Sequence, residues 1–282
     1  MIGRSVKFLR VIKAARMVAA TDVCVLLNGK QSTGRRLIAH EIHRLSLRRH
    51  APFRALNCSF LEDFAAALEA NGGTLFLGDV GLLKPALQHE LLVLLERKTM
   101  LDKPVDIRII ASADTTLVDQ VRHDEFREDL YYRLNVVLLE VPCLKERAGD
   151  IPLLLKAFVK QSAHQYGRQM PTFGTEASNL VKKYAWPGNI RELRNFAERM
   201  VILLPGQTIQ PNNLPSEMKC QSDSTVNTLF ELPKTGIDLN SLEADILRQA
   251  LMLAGGNYSK AARLLNISRD TLVYRSQKLF VD

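Results

Sequence analysis

The sequence predicts an α/β fold, a parallel sheet layered with helices, followed by a helical region and a C-terminal all-α helix-turn-helix. Short apolar runs at 23–27, 53–56, 73–77, 105–111 and 135–141 alternate with helical spacing at 37–47 and 87–96, the pattern of a sheet with parallel members. After Pro142 the periodicity becomes wholly helical. The last stretch reads as short helices parted by turns.

The elements follow in chain order. Arg4, Lys7, Arg10, Lys13 and Arg16 recur every third residue with Val6, Leu9 and Ile12 between them, which predicts an amphipathic helix with one basic side. The run 23–27 is a buried strand ended by the turn residues Asn28 and Gly29. Asp150 is expected to cap a helix with Pro152 in its first turn, stopping at Gly167. Thr175 opens a second helix; Trp186-Pro187-Gly188 is a turn, and Asn189 caps a third helix reaching about residue 203. The polar stretch 216–236 is expected to be a linker. No internal repeat is visible.

Composition bounds the function. The 282 residues are 46% hydrophobic and 24% charged, which excludes wholesale disorder and suggests about two compact units. No apolar run approaches the ~18 residues of a membrane span, so no membrane partner is expected. Cys24, Cys58, Cys143 and Cys220 are scattered without a CxxC pair, which argues against disulfides and structural zinc and for a reduced, cytoplasmic setting; no metal ligands are assigned. Net charge is +8, but residues 1–60 hold 12 Lys and Arg against Asp22 and Glu41, while the rest is slightly acidic. Such a basic lobe favours a polyanion, either nucleotide phosphate or nucleic acid.

The first chemical signal is GKQSTGRR at 29–36, between strand and helix. Gly29 and Gly34 have the spacing of G-x-x-x-x-G-K-[ST], in which the intervening residues, here Lys30, Gln31, Ser32 and Thr33, fold their backbone N–H groups around phosphate at a helix N-terminus. Arg35 stands at the lysine position, a planar fork in place of a compact charge, and Arg36 stands where a small hydroxyl residue would hold magnesium. The second signal is GGTLFLGDVG at 72–81, an apolar strand ending in Gly78-Asp79 where such enzymes place two acids. Strand alternation predicts that Asp79 points opposite to position 78; as a water-polarising acid it is one methylene shorter than glutamate.

The tail supplies the third. Leu242, Ile246, Ala250 and Leu253 are expected on one side of a helix ended by Gly255-Gly256. Residues 259–265 form a short second helix, Asn266-Ile267 the turn, and Ser268 the cap of a last helix with Leu272 and Leu279 facing inward. Arg269, Asp270 and Thr271 then lie where a helix-turn-helix meets base edges, Tyr274 lies beside them, and Arg275 and Lys278 face phosphate. The helix at 242–253 is the expected dimer surface.

Residues 1–215 resemble the AAA+ central domain of bacterial enhancer-binding proteins, the activators of sigma-54 RNA polymerase. The segments VLLNGKQSTGRR, PFRALNC, NGGTLFLGDVG, FREDLYYRLNVV, ERAGDIPLLL and YAWPGNIRELRN carry the likeness, and GGNYSKAARLLNISRDTLVYRSQKL resembles the Fis-type helix-turn-helix of the same regulators. The resemblance implies an AAA+ P-loop NTPase-like subdomain at 1–142, a helical lid at 143–215, a linker at 216–236 and a DNA-binding domain at 237–282. It implies ATP or ADP at the glycine loop, Arg127 and Arg133 as arginine fingers reaching a neighbouring subunit's nucleotide, and Arg191 as the sensor arginine of the lid. It also implies a bacterial, nucleoid-associated homo-oligomer, dimeric through its C-terminal domain and ring-forming, on promoter or enhancer DNA.

The departures shape the expectation. The family has lysine where Arg35 stands, Asp-Glu where Gly78-Asp79 stands, and usually Thr-Asn where Ala113-Asp114 stands. Only 13 residues, 59–71, separate Cys58 from Gly72, where the family carries its sigma-54-touching GAFTGA loop; no such string occurs in the chain. The likeness begins at the first residues, and the reading expects no receiver or sensory domain ahead. The expectation is a sequence-specific transcription regulator whose AAA+ domain binds nucleotide, hydrolyses it poorly, does not hold magnesium as the family does and has lost its RNA polymerase contact. The alternative is a working ATPase that remodels sigma-54 polymerase.

Overall fold

Strands that are apolar at every position must be covered on both faces. The computed structural model, which describes residues 1–100, 103–219 and 238–279, gathers five strands into one parallel sheet ordered β2–β3–β6–β1–β7. They are β1 (Val25–Asn28), β2 (Phe53–Asn57), β3 (Thr74–Gly78), β6 (Arg108–Ala113) and β7 (Val137–Glu140). Alternation sends Val25 and Leu27 to a core with α1 (Val6–Ala19) and α2 (Arg35–Arg44). It sends Leu26 to the opposite core, with α3 (Pro85–Arg97), α4 (Leu117–Arg122) and α5 (Glu128–Leu134). The AAA+-like parallel sheet with helices is therefore present. Two elements that the apolar runs did not reveal, α4 and α5, are too short and too polar to show a period. The strand expected at 105–111 lies at Arg108–Ala113, because the chain before it forms a two-residue antiparallel pair, β4 (Thr99–Met100) with β5 (Lys103–Pro104).

Helix α1 corrects the three-residue reading. Its buried stripe is Phe8, Val11, Ile12, Ala15, Val18 and Ala19, while Val6 and Leu9 are exposed. A repeat of three drifts around a helix of 3.6 residues per turn, so the stripe follows i, i+3, i+4 instead. Its C-terminal end is held by buried Arg108, whose guanidinium donates to the carbonyls of Val18 (2.9 Å) and Ala19 (3.2 Å).

Beyond β7 lie α6 (Ile151–Tyr166), α7 (Thr175–Lys183) and α8 (Asn189–Leu203), packed around buried Trp186, Leu193 and Phe196. This region is not wholly helical: β8 (Thr172–Phe173) and β9 (Thr208–Ile209) form a small parallel pair. The chain also stays packed past 215, with a turn of helix α9 (Ser216–Lys219) burying Met218. The remainder of the expected linker, and Cys220, lie outside the described residues. The chain divides into two compact units, Met1–Ser222 and Asp223–Asp282.

The second unit holds α10 (Leu239–Leu253), α11 (Tyr258–Leu264) and α12 (Arg269–Leu279) around Leu247, Ala250, Ala261, Ala262 and Leu272. Gly255 and Gly256, both left-handed at φ 60° and 81°, end α10. Asn266 makes the next turn at φ 54°. Ser268 caps α12 through its hydroxyl, which accepts from the Thr271 N–H at 3.1 Å. The expected stripe on α10 is corrected: Ala250 is buried and Leu242 half-buried, but Ile246 and Leu253 are exposed, and the other buried position is Leu247. The side chain of Leu279 lies outside the described residues.

Asp150 is also corrected. It does not cap α6; its Oδ1 instead accepts from the N–H groups of Arg4 (2.6 Å) and Ser5 (3.0 Å), the approach to α1. Fully buried, its Oδ2 lies 3.4 Å from Nε of buried Arg147, whose guanidinium covers the Phe8 ring at 4.2 Å. Removing one member of a buried charge pair strands the other. Asp150→Ala is expected to lower unfolding free energy by about 3–5 kcal/mol in urea titration, and Asp150→Asn, which still offers an acceptor, by less.

Candidate functional site

The glycine loop turns between β1 and α2. The Gly29 N–H donates to the Ala113 carbonyl at 3.1 Å, and a Cβ at Gly29 would sit 2.6 Å from the Val141 carbonyl oxygen, so only glycine allows this approach. Ser32 is left-handed at φ 60°, and buried Thr33 closes the turn by donating to the Lys30 carbonyl at 2.8 Å. Gly34, at φ 102°, is the N-cap of α2. The first-turn N–H groups of α2 have no partner within the helix, the general condition for anion binding at a helix start.

Arg35 and Asp79 meet behind this loop. Arg35 is 7% exposed; its Nη2 donates to Asp79 Oδ1 at 2.5 Å and its Nη1 to the Ala113 carbonyl at 2.5 Å. The Asp79 N–H donates to the hydroxyl of buried Ser112 at 3.1 Å. The strand-alternation expectation for Asp79 is corrected here: β3 ends at Gly78, and Asp79 turns left-handed at φ 57°. That turn lets Gly78 and Asp79 line one cleft.

Two clefts flank the loop. The smaller, about 280 Å³, is lined by Arg35, Arg36, Arg191, Asp79, Asn57 and Ser112 among others. The larger, about 730 Å³, lies between the loop residues Lys30, Gln31 and Ser32 and the helix carrying Arg191, with Asp114 and Tyr184 on its wall. Arg191 thus faces both. The expected cap Asn189 is instead a bridge, at φ 52° and with Gly188 at the N-cap position. Its Oδ1 accepts from the Leu144 N–H (2.9 Å) and its Nδ2 donates to the Gln31 carbonyl (3.0 Å). The adjacent Ile190 N–H donates to the Ser32 carbonyl at 3.1 Å. The turn residues around the asparagine in WPGNIREL predict a cap; nothing local in the sequence reveals a partner 158 positions away. Ser112, which anchors Asp79, was missed for the same reason.

Arg127 and Arg133 line neither cleft. Both are exposed, Arg127 paired with Asp129 at 2.7 Å and Arg133 with Glu96 at 3.2 Å. In the second unit Arg269, Asp270, Tyr274 and Lys278 are exposed on α12. Thr271 shares a hydroxyl contact with Ser268 at 2.7 Å, and Arg275 pairs with Glu243 of α10 at 2.7 Å, so both are engaged within the unit. Among the described residues no group of three His, Cys, Asp or Glu is placed to hold a metal ion, and no helix is long and apolar enough to cross a membrane.

A parallel sheet with a glycine loop at its switch point, a helical lid touching that loop and a separate three-helix unit define an AAA+ P-loop module joined to a helix-turn-helix. The comparisons give the family. The Sigma-54 interaction domain model matches 1–68 and 62–140, the AAA+ ATPase lid domain 145–229, and the bacterial regulatory protein, Fis family model 239–279. Transcriptional regulatory protein ZraR of Salmonella typhimurium is 34% identical over 97% of this chain and 67% of its own length. The C4-dicarboxylate transport transcriptional regulatory protein DctD of Rhizobium meliloti is 35% identical over 99% and 64%. The structure of NtrX from Brucella abortus in complex with ATP aligns with TM-score 0.74 at 29% identity, covering 100% of this chain and 69% of that one. Thermotoga maritima RuvB, at 17% identity and TM-score 0.52, shares the fold. The chain belongs to the family of sigma-54 interaction-domain transcriptional regulators, and spans about two thirds of the length of the relatives it matches.

Asn189→Ala is expected to cost about 1–3 kcal/mol in urea unfolding, because it leaves buried backbone partners unpaired. Asn189→Gly, which removes the same contacts but tolerates positive φ, separates that loss from backbone strain.

Proposed function

We propose that this chain is a sequence-specific DNA-binding regulator of the sigma-54 activator type whose AAA+ domain binds ATP or ADP and hydrolyses it poorly. The observation that carries the reading is the Arg35–Asp79 ion pair. Phosphoryl transfer in this fold needs a lysine on the phosphates, a metal held by hydroxyl and carboxylate, and an acid that orients water. Here the cation at the lysine position and the acid at the end of β3 neutralise each other. Arg36 and Gly78 offer no oxygen for magnesium, so the residues present do not fit the family's metal and no step is assigned to it. Nucleotide binding asks less: Gly29 and Gly34 shape the loop, and Lys30, Arg36 and Arg191 face the clefts. The similar structure of NtrX from Brucella abortus is in complex with ATP in one case and ADP in another.

The remaining roles follow. Arg127 and Arg133 serve as fingers between subunits of a homo-oligomer by exchanging Asp129 and Glu96 for a neighbour's phosphate. The 13 residues at 59–71 replace the sigma-54 contact loop; the matching of the family model in two stretches that meet at this segment supports that reading. Arg269 and Asp270 read base edges, Lys278 meets phosphate, Tyr274 flanks them, and Arg275 leaves Glu243 to do the same. The exposed Ile246 and Leu253 of α10 pair two copies over a two-fold site. The protein works in the cytoplasm on nucleoid DNA.

Two measurements test this. Steady-state phosphate release by the full chain is expected ~10²–10³ below that of ZraR, the cost of one lost transition-state charge partner; an equal rate refutes the reading. In DNA binding, Lys278→Ala is expected to weaken all sequences alike and reduce the salt slope by about 1, whereas Arg269→Ala costs about 1–3 kcal/mol on the preferred site alone.

A further inference from the structure

We infer that the cleft behind the glycine loop takes its nucleotide free of magnesium, so that the metal competes with the protein for the polyphosphate. The inference rests on the nucleotide site proposed above and specifies the species it accepts. The argument is one of charge. On the smaller cleft Arg36 and Arg191 stand beyond the mutually neutralised Arg35–Asp79 pair, whereas on the larger Lys30, Arg191 and Arg199 are balanced by Asp114, Glu192 and Glu217. Guanidinium groups stay protonated at every working pH.

Each carboxylate that could draw a hard cation has an oxygen engaged by a neighbouring donor. Asp79 is the one carboxylate on the smaller cleft, and Arg35 holds its Oδ1 at 2.5 Å. The Ser112 hydroxyl accepts from the Asp79 N–H at 3.1 Å, and Asn57 Oδ1 accepts from the Ser59 N–H at 3.1 Å. On the larger cleft, Asp114 Oδ1 accepts from the Thr115 N–H at 2.6 Å, Glu192 Oε2 from the Gly188 N–H at 2.7 Å, and Glu217 Oε2 from the Ser216 hydroxyl at 3.4 Å. Magnesium prefers octahedral oxygen and sheds water reluctantly, so it is captured only where one or two free carboxylates await it. The smaller cleft meets it with surplus positive charge. A bare polyphosphate finds the reverse: fixed guanidinium groups supply the neutralisation that a metal gives elsewhere. Magnesium in solution binds the same phosphate oxygens and removes charge from the ligand, and so lowers its attraction to the site.

Isothermal titration of the full chain with ADP, and separately with ATP, compares a chelator buffer with excess magnesium at matched ionic strength. Tighter binding in chelator, by roughly tenfold, is expected, the scale of one charge-assisted hydrogen bond. Tighter binding in magnesium overturns the inference and leaves nucleotide binding standing. No binding in either buffer overturns both. Asp79→Asn, checked for folding by circular dichroism, removes the cleft's carboxylate and releases Arg35; it is expected to tighten ADP binding in chelator. Should it instead weaken binding only when magnesium is present, Asp79 serves a metal and the inference fails.

Discussion

A guanidinium taken out of water must meet a negative charge or pay heavily for its isolation, and Arg35 is such a group. Its position opens α2, where a lysine could extend into solvent or toward phosphate. Arginine at the same place lies folded back against the sheet, with one nitrogen on the Ala113 carbonyl and another on Asp79. The departures at Arg35 and Asp79 are therefore one feature. An arginine there calls for an acid within reach, and Asp79, turned left-handed just past β3, supplies it. Each would be a liability alone; together they give a closed, neutral pair at the back of the cleft.

The lid and the loop are joined by backbone chemistry more than by charge. Asn189 and Ile190 donate to successive loop carbonyls, Gln31 and Ser32, and Asn189 also accepts from Leu144 at the entry to the lid. One buried amide thus fixes the angle between the sheet, the loop and α8. Arg191, two positions on, inherits its placement over both clefts from that bridge. Nucleotide entering the larger cleft would touch both sides of this joint, so loop occupancy and lid position are mechanically linked.

Much of this was legible in the sequence, and the misses share a cause. Apolar runs located all five main strands to within a few residues, because burial on both faces leaves a signal that needs no partner. The glycine loop was visible because two glycines at fixed spacing reflect local backbone demand. The stripe of α1 was misread because a charge repeat of three imitates periodicity without matching the helix pitch. Asp150 and Asn189 looked like caps, yet both spend their polar atoms on distant chain: Asp150 on Arg4 and Ser5, Asn189 on Gln31 and Leu144. Tertiary contacts of that range leave no local pattern. The Arg35–Asp79 pair was hidden for the same reason, although each residue had been singled out separately.

The grip of Asp150 on the amides of Arg4 and Ser5 has a mechanical consequence. The approach to α1 and the stretch between β7 and α6 thereby share one buried carboxylate, which also meets Arg147. Loss of that carboxylate would therefore loosen the entry of the first helix and the start of the lid together.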